Sequence, residues 1–60
     1  MQALLKDGPL KGNPVQIDPV EGRPPSTVDL PGKNDDTHRY CLAELDQKGM
    51  TAVYTFLYDV

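Results

Sequence analysis

Proline is confined to one half of this chain. All six prolines lie between Pro9 and Pro31, whereas residues 37–60 contain no proline and a single glycine. Because proline cannot donate a ladder hydrogen bond, it is excluded from central strands and is typical of turns, strand edges and connecting segments. The distribution therefore predicts turns and short strands in the first half of the chain and a long β-hairpin in the second.

Alternation of apolar and polar residues locates the strands of the predicted sheet. The strands are predicted at residues 2–6, 14–18, 27–30, 37–45 and 51–60. An N-terminal hairpin (1–18), a Pro/Gly-rich connecting segment (19–36) and a C-terminal hairpin (37–60) then make one small domain over residues 1–60. The predicted fold class is mainly β, a small antiparallel sheet of four or five strands, with residues 27–30 as a short edge strand.

An α+β fold with a short helix over residues 37–48 is the alternative. Such a helix would have Asp35 or Asp36 as its N-cap and Gly49 just after its C-terminus. Tyr40 would then share its stripe with polar side chains, which makes a poor apolar face. The strand interpretation is therefore favoured, with Gly49 in the left-handed position of the hairpin loop.

Strict alternation predicts which side chains of the C-terminal hairpin share a face. In residues 37–45, one face would carry His38, Tyr40, Leu42 and Glu44. In residues 51–60, one face would carry Ala52, Tyr54, Phe56, Tyr58 and Val60. The aromatic stripe on this face is predicted to be core, and the alternative is an interface, because a lone sheet must bury an aromatic face somewhere. The last strand is predicted to lie at a sheet edge, where it would be available to pair with another chain.

The length of the chain limits its stability and its chemistry. Sixty residues bury only about 60% of the surface that the unfolded chain exposes. Cys41 is the single cysteine, so an internal disulfide is excluded, and with His38 it is too little for a four-ligand zinc site. A homodimer or a host complex is therefore weighed equally with a free monomer as the stable state.

Catalytic chemistry has little support in the sequence. His38 and Cys41, three residues apart in a strand, point to opposite faces and cannot form a nucleophile–base pair; in the helical alternative they would share a side. Residues 34–38 lack the alternation of a calcium loop, and residues 8–12 lack the Lys-Ser/Thr of a phosphate cradle. We therefore predict no enzyme activity, no metal and no cofactor.

Charge and hydropathy narrow the range of partners. The formal net charge is −3, and direct nucleic-acid binding would need a basic stripe. No run approaches the roughly 20 apolar residues of a membrane span. The first five residues are followed at once by Lys6 and Asp7, which is too short for the apolar core of a signal peptide. With a single cysteine, these features predict the cytoplasm.

Acidic residues carry the one specific functional hypothesis. Acids lie in or beside the C-terminal sheet at Asp29, Asp35, Asp36, Glu44, Asp46 and Asp59, while Lys6, Lys11 and Arg23 lie in the first half. Segregated charge would let one side of the molecule engage a basic groove, as a nucleic-acid mimic does. The alternative is that Lys33, Arg39 and Lys48, which are interleaved with the acids, neutralise them.

Both ends of the chain carry a recognisable pattern. Residues 4–17 read LLKDGPLKGNPVQI, and the C-terminal strands contain His38-Arg39-Tyr40 and Val53-Tyr54-Thr55-Phe56. The chain resembles a family of very small phage and prophage proteins that open with a strand and a Gly-Gly-Pro-x-Asp-Gly hairpin and close with a Tyr-rich strand pair. Asp7 stands where a Gly is usual and Lys11 where an Asp is usual. The resemblance implies a phage or mobile-element context and brings no catalytic residues.

These features together predict a non-enzymatic, phage-encoded inhibitor of a host defence or nucleic-acid-processing complex, such as an anti-CRISPR, acting in the host cytoplasm. It would sterically block a basic surface on a host or phage protein, without direct nucleic-acid or membrane binding; a homodimer is the other association considered. The predicted partner-binding residues are Asp29, Asp35, Asp36, Glu44, Asp46, Tyr54 and Tyr58. The alternative is a virion accessory protein, a capsid decoration or head–tail component, whose Pro-rich segment drapes over a shell subunit while its last strand augments that subunit's sheet.

Overall fold

The computed structural model describes residues 1–46, 48 and 50–60, which form one five-stranded sheet and contain no helix. The strands are β1 (Gln2–Leu5), β2 (Pro14–Gln16), β3 (Thr27–Pro31), β4 (Thr37–Asp46) and β5 (Thr51–Asp59). Their order across the sheet is β2-β1-β5-β4-β3. The predicted mainly β fold is confirmed, and the helical alternative is not favoured because β4 is extended from Thr37 onwards. The predicted left-handed Gly49 lies outside the described residues.

The sheet is mixed, because its two hairpins meet through a parallel pair. β1 pairs antiparallel with β2, and β4 pairs antiparallel with both β3 and β5. β1 and β5 are parallel, with Gln2 opposite Thr51 and Leu5 opposite Tyr54. The predicted edge position of the last strand is therefore wrong. β5 is central, and a nine-residue strand rich in β-branched and aromatic residues suits a position flanked on both sides.

Each of the two outer strands of the sheet, β2 and β3, contains a proline. Ile17 N–H donates to Met1 C=O at 2.9 Å, so the backbone groups of Ile17 point towards β1. Because this direction alternates along the strand, Pro14, three residues earlier, has its backbone groups on the free side of β2. Gly32 N–H donates to Asp36 C=O at 2.7 Å, which likewise puts Pro31 on the free side of β3. Since proline has no N–H, both edges offer fewer donors to another strand. The edge position predicted for residues 27–30 is confirmed.

A β-bulge at Ala43 changes the faces of β4. Leu42 lies opposite Tyr54, but Glu44 lies opposite Val53, so Ala43 is an extra residue in the ladder. Each residue after the bulge is shifted by one position relative to β5. Glu44 therefore leaves the face of Tyr40 and Leu42, and Leu45 joins that face instead, contrary to strict alternation.

A second bulge at Leu57 does the same in β5. Tyr40 lies opposite Phe56, and Arg39 lies opposite Tyr58, so Leu57 has no partner in β4. Tyr58 therefore lies on the face of Arg39 and is 51% exposed. The predicted stripe ends at Phe56. Tyr58 is not part of the core, because the bulge places its side chain on the opposite face of the sheet.

The core lies on one face of the sheet, which we call the inner face. Its buried residues are Ala3, Leu5, Ile17, Tyr40, Ala52 and Tyr54. Two connections cover this face. Tyr40 Oη donates to Asp7 C=O at 2.9 Å in the β1–β2 loop, and Tyr54 Oη donates to Pro25 C=O at 2.7 Å in the β2–β3 connection. The opposite, outer face has no such cover among the described residues.

Candidate partner-binding surfaces

Asp7 anchors the β1–β2 loop to the centre of the sheet. Its Oδ1 accepts from Phe56 N–H at 2.7 Å, and its Oδ2 accepts from the Thr55 hydroxyl at 2.8 Å. The hydrogen bond from the Phe56 backbone and then that from Thr55 hold the pKa of Asp7 below its usual value. The carboxylate thus takes over the pairing of β5 where β1 ends at Leu5.

Acid should weaken this anchor. Because the folded-state pKa of Asp7 is lowered, its stabilisation is fully present above the unfolded-state pKa and is lost as the pH falls through the folded-state value. We expect the thermal unfolding midpoint, followed by circular dichroism, to decrease when the pH is lowered below about 4. Asp7→Asn should reduce this decrease of the midpoint in acid, whereas Asp35→Asn, in an exposed turn, should leave it unchanged. An equal decrease in both variants would contradict the role of Asp7.

Arg39 holds two of the predicted partner-binding residues on the outer face. Its Nε and Nη2 donate to the carboxylate of Asp29 at 2.7 and 3.0 Å, and its Nη1 donates to Tyr58 Oη at 3.1 Å. The hydrogen bonds from Arg39 lower the pKa of Asp29. Asp29 is therefore already neutralised within the molecule and contributes little to an acidic surface.

The single histidine is also paired internally. The bulge at Leu57 brings Asp59 Oδ1 to 2.5 Å from His38 Nδ1, and His38 is buried beside the edge of the Phe56 ring. Cys41 lies opposite Thr55 on the outer face. His38 and Cys41 thus face opposite sides of the sheet, as predicted from their spacing.

Tyr54 does not belong to any surface. It is fully buried on the inner face, its hydroxyl is bonded to Pro25 C=O, and burial raises the pKa of its phenol. The prediction that Tyr54 is a core residue is confirmed, and its prediction as a partner-binding residue is corrected, because the β2–β3 connection covers it.

The remaining predicted acids lie at two opposite ends of β4. Asp35 and Asp36 are exposed in the β3–β4 turn, which we call the turn end, whereas Glu44 and Asp46 lie where β4 meets the β4–β5 connection, which we call the tip end. Ten residues of extended chain separate the two ends by about 30 Å. The single acidic side that the sequence predicted is therefore divided in two.

An apolar hollow of about 710 Å³ opens at the tip end. It is lined by Met1, Gly22, Arg23, Pro24, Ser26, Leu42, Leu45 and Met50. Sequence reasoning missed it, because the bulge at Ala43 must first turn Leu45 towards the inner face. A smaller hollow of about 410 Å³ lies beside His38 at the turn end, between Leu10 and Lys33.

The described residues include neither a metal-binding cluster nor a membrane-spanning helix. Within residues 1–46, 48 and 50–60, no three His, Cys, Asp or Glu side chains are close enough together to hold a metal ion. The same part of the chain has no helix that is long and apolar enough to cross a membrane. Compared with family models, curated proteins and solved structures, the chain matches none of them.

Proposed function

We propose that this chain is a non-catalytic protein-binding inhibitor of anti-CRISPR type, encoded by a phage, that blocks a basic surface on a host defence or nucleic-acid-processing complex. The observation that carries the proposal is the turn end. Asp35 and Asp36 are adjacent and exposed there, whereas Asp7, Asp29 and Asp59 are already bonded inside the molecule. The turn end therefore presents free negative charge on a narrow part of the sheet.

The backbone fixes the position of these two carboxylates. Gly32 N–H donates to Asp36 C=O, and Asp35 has a left-handed φ of 60°. A Cβ at Gly32 would lie 2.5 Å from His38 Nε2, so the turn packs closely on the buried histidine. A fixed turn loses little conformational entropy on binding, and its charges steer it towards a basic partner. The sheet behind it then provides the steric block.

The virion alternative has less structural support. The Pro-rich connection is bonded to its own sheet through Tyr54 and Pro25, and Leu42 N–H donates to Ser26 C=O at 2.8 Å. β5, which would have augmented a shell subunit, is central. These contacts favour the inhibitor over a protein that uses its Pro-rich segment and its last strand to bind a shell subunit.

Charge reversal tests the inhibitor. The tagged chain should recover a stoichiometric host complex from lysate, prepared with and without phage infection, and the complex should weaken from low to moderate salt.

Asp35→Lys with Asp36→Lys should reduce the affinity for that target by about tenfold or more. Asp18→Lys with Glu21→Lys changes the net charge equally at exposed sites in the β2–β3 connection and should have a much smaller effect. Equal losses, or no loss at the turn end, would contradict the proposal, and recovery with structural phage proteins alone would favour the virion.

A further inference from the structure

Part of β4 has an open edge. β3 pairs with β4 only from Thr37 to Cys41, and on that side Leu42 N–H then donates to Ser26 C=O. Residues 43–46 have β5 on one side and no described strand on the other. The sheet therefore has a third edge, four residues long, at the tip end.

Leu45 directs its backbone towards this open edge. Lys6 N–H donates to Tyr54 C=O, so Tyr54 and, two residues earlier, Ala52 point their backbone groups towards β1. Residues opposite them in an antiparallel pair point away from β5. Leu45 lies opposite Ala52, so its N–H and C=O point to the side of β4 on which no described strand pairs with it.

The open edge differs in sequence from the outer edges of β2 and β3, each of which contains a proline. Pro14 lies on the free side of β2 and Pro31 on that of β3, whereas residues 43–46 contain no proline. An edge without proline is the site at which an added strand pairs most readily. The sequence therefore leaves open the one edge that lies beside the apolar hollow.

The hollow provides a place for a side chain of such a strand. Leu45, which is 38% exposed, forms part of the hollow together with Met50, which is 59% exposed. In an added strand, the residue opposite Leu45 would point to the inner face and into the hollow. Methionine and leucine walls adapt to apolar side chains of different shapes.

Charge selects the occupant of this edge. Glu44 and Asp46 flank Leu45 and lie on the other face of the strand. If a second copy paired antiparallel about Leu45, Glu44 would lie opposite the Asp46 of that copy, and like charges directly opposite each other are destabilising. Lysine or arginine of an added strand, opposite Glu44 and Asp46, would be favourable. Arg23 and Lys48 also lie at this end, but neither is in the strand.

We propose that residues 43–46 and the adjoining hollow bind an extended basic segment of a partner protein as an added β-strand. One apolar side chain of that segment occupies the hollow, and basic side chains on either side of it lie opposite Glu44 and Asp46. This surface is about 30 Å from Asp35 and Asp36, so it goes beyond the proposed turn-end contact and does not depend on it.

A peptide titration tests this assignment. A six-residue peptide of alternating lysine and valine is added to the isotope-labelled full chain at low salt and followed by NMR. The amides of residues 43–46 should shift saturably, and the Leu45 amide should become protected from exchange. The peptide with glutamate in place of lysine should bind about tenfold more weakly or worse.

Two matched variants locate the binding. Glu44→Lys should reduce the affinity for the lysine peptide by about tenfold, whereas Asp18→Lys, with the same charge change at an exposed site in the β2–β3 connection, should alter it less than about twofold. Unchanged shifts elsewhere in the spectrum show that each variant is folded. Absence of saturation, equal binding of both peptides or shifts confined to the turn end would overturn the proposal. A concentration-dependent dimer that protects residues 43–46 would overturn it in favour of a second copy. None of these results depends on the lysate experiment.

Discussion

Alanine at Gly8 is expected to destabilise this protein far more than alanine at Gly12. Both glycines have a left-handed φ, 81° and 84°, so alanine at either position costs about 1–2 kcal/mol in backbone conformation. A Cβ at Gly12 would meet nothing within 4 Å, but one at Gly8 would lie 2.5 Å from Phe56 Cβ and 2.6 Å from Tyr40 Oη. Overpacking of this kind adds about 1–3 kcal/mol.

The comparison separates packing from backbone strain. Urea unfolding of both variants gives the two free energies, and only Gly8→Ala should approach the whole stability of a 60-residue chain, roughly 3–9 kcal/mol. If Gly8→Ala is too unstable to measure, its thermal midpoint with and without a stabilising osmolyte still ranks it against Gly12→Ala. Equal losses would show that the β1–β2 loop does not pack on Phe56 as closely as described.

Removal of the Tyr40 hydroxyl is expected to have the second largest effect. Tyr40 is fully buried, and its Oη donates to Asp7 C=O and accepts from Leu10 N–H at 3.0 Å. Tyr40→Phe leaves both backbone groups without this partner, and an unsatisfied buried group costs about 1–3 kcal/mol. Thermal unfolding should show a midpoint lower by about 4–8 °C for each kcal/mol lost.

Tyr58→Phe is the matched control. The Tyr58 hydroxyl accepts one hydrogen bond from Arg39 on the exposed outer face, and loss of a surface group usually changes stability by less than about 0.5 kcal/mol. Tyr54→Phe, which removes one hydrogen bond to Pro25, should lie between the two. A Tyr40→Phe protein as stable as Tyr58→Phe would mean that the hydroxyl does not hold the loop on the sheet.

Local sequence signals were sufficient for the strands. Alternation and the distribution of proline predicted five strands within one or two residues of those observed, including the short edge strand β3 (Thr27–Pro31). These signals are properties of adjacent residues. The parallel pairing of β1 with β5 is not, because it joins segments from opposite ends of the chain, and the last strand was therefore wrongly predicted at an edge.

Faces could be predicted only as far as the bulges. Strict alternation placed Glu44 on the face of Tyr40 and placed Tyr58 on the face of Tyr54. The extra residues Ala43 and Leu57 instead put Glu44 and Tyr58 on the outer face. A bulge depends on how two strands fit together, and neither residue carries a local signal such as glycine. The same two bulges create the His38–Asp59 pair and turn Leu45 towards the hollow, so these features could not be derived from periodicity.

The candidate surfaces were predicted in part for the same reason. Acidic residues could be located along the chain, but which of them remain free depends on contacts between distant segments. Arg39 binds Asp29 across two strands, and Phe56 N–H binds Asp7 from the other end of the chain. Tyr54 was predicted to be core but was also named as a partner-binding residue, because the sequence does not show that the Pro-rich connection folds back over it.

The central position of β5 has a consequence for biosynthesis. The ribosome makes this strand after the other four, yet it is the one that joins the β1–β2 hairpin to the β3–β4 pair. Until Thr51–Asp59 has been synthesised, the β1–β2 hairpin and the β3–β4 pair lack the strand that links them in the sheet. Closure of the sheet then requires contact between segments separated by most of the chain, which slows folding. We expect the sheet to fold only after all five strands have been synthesised, in a single cooperative step.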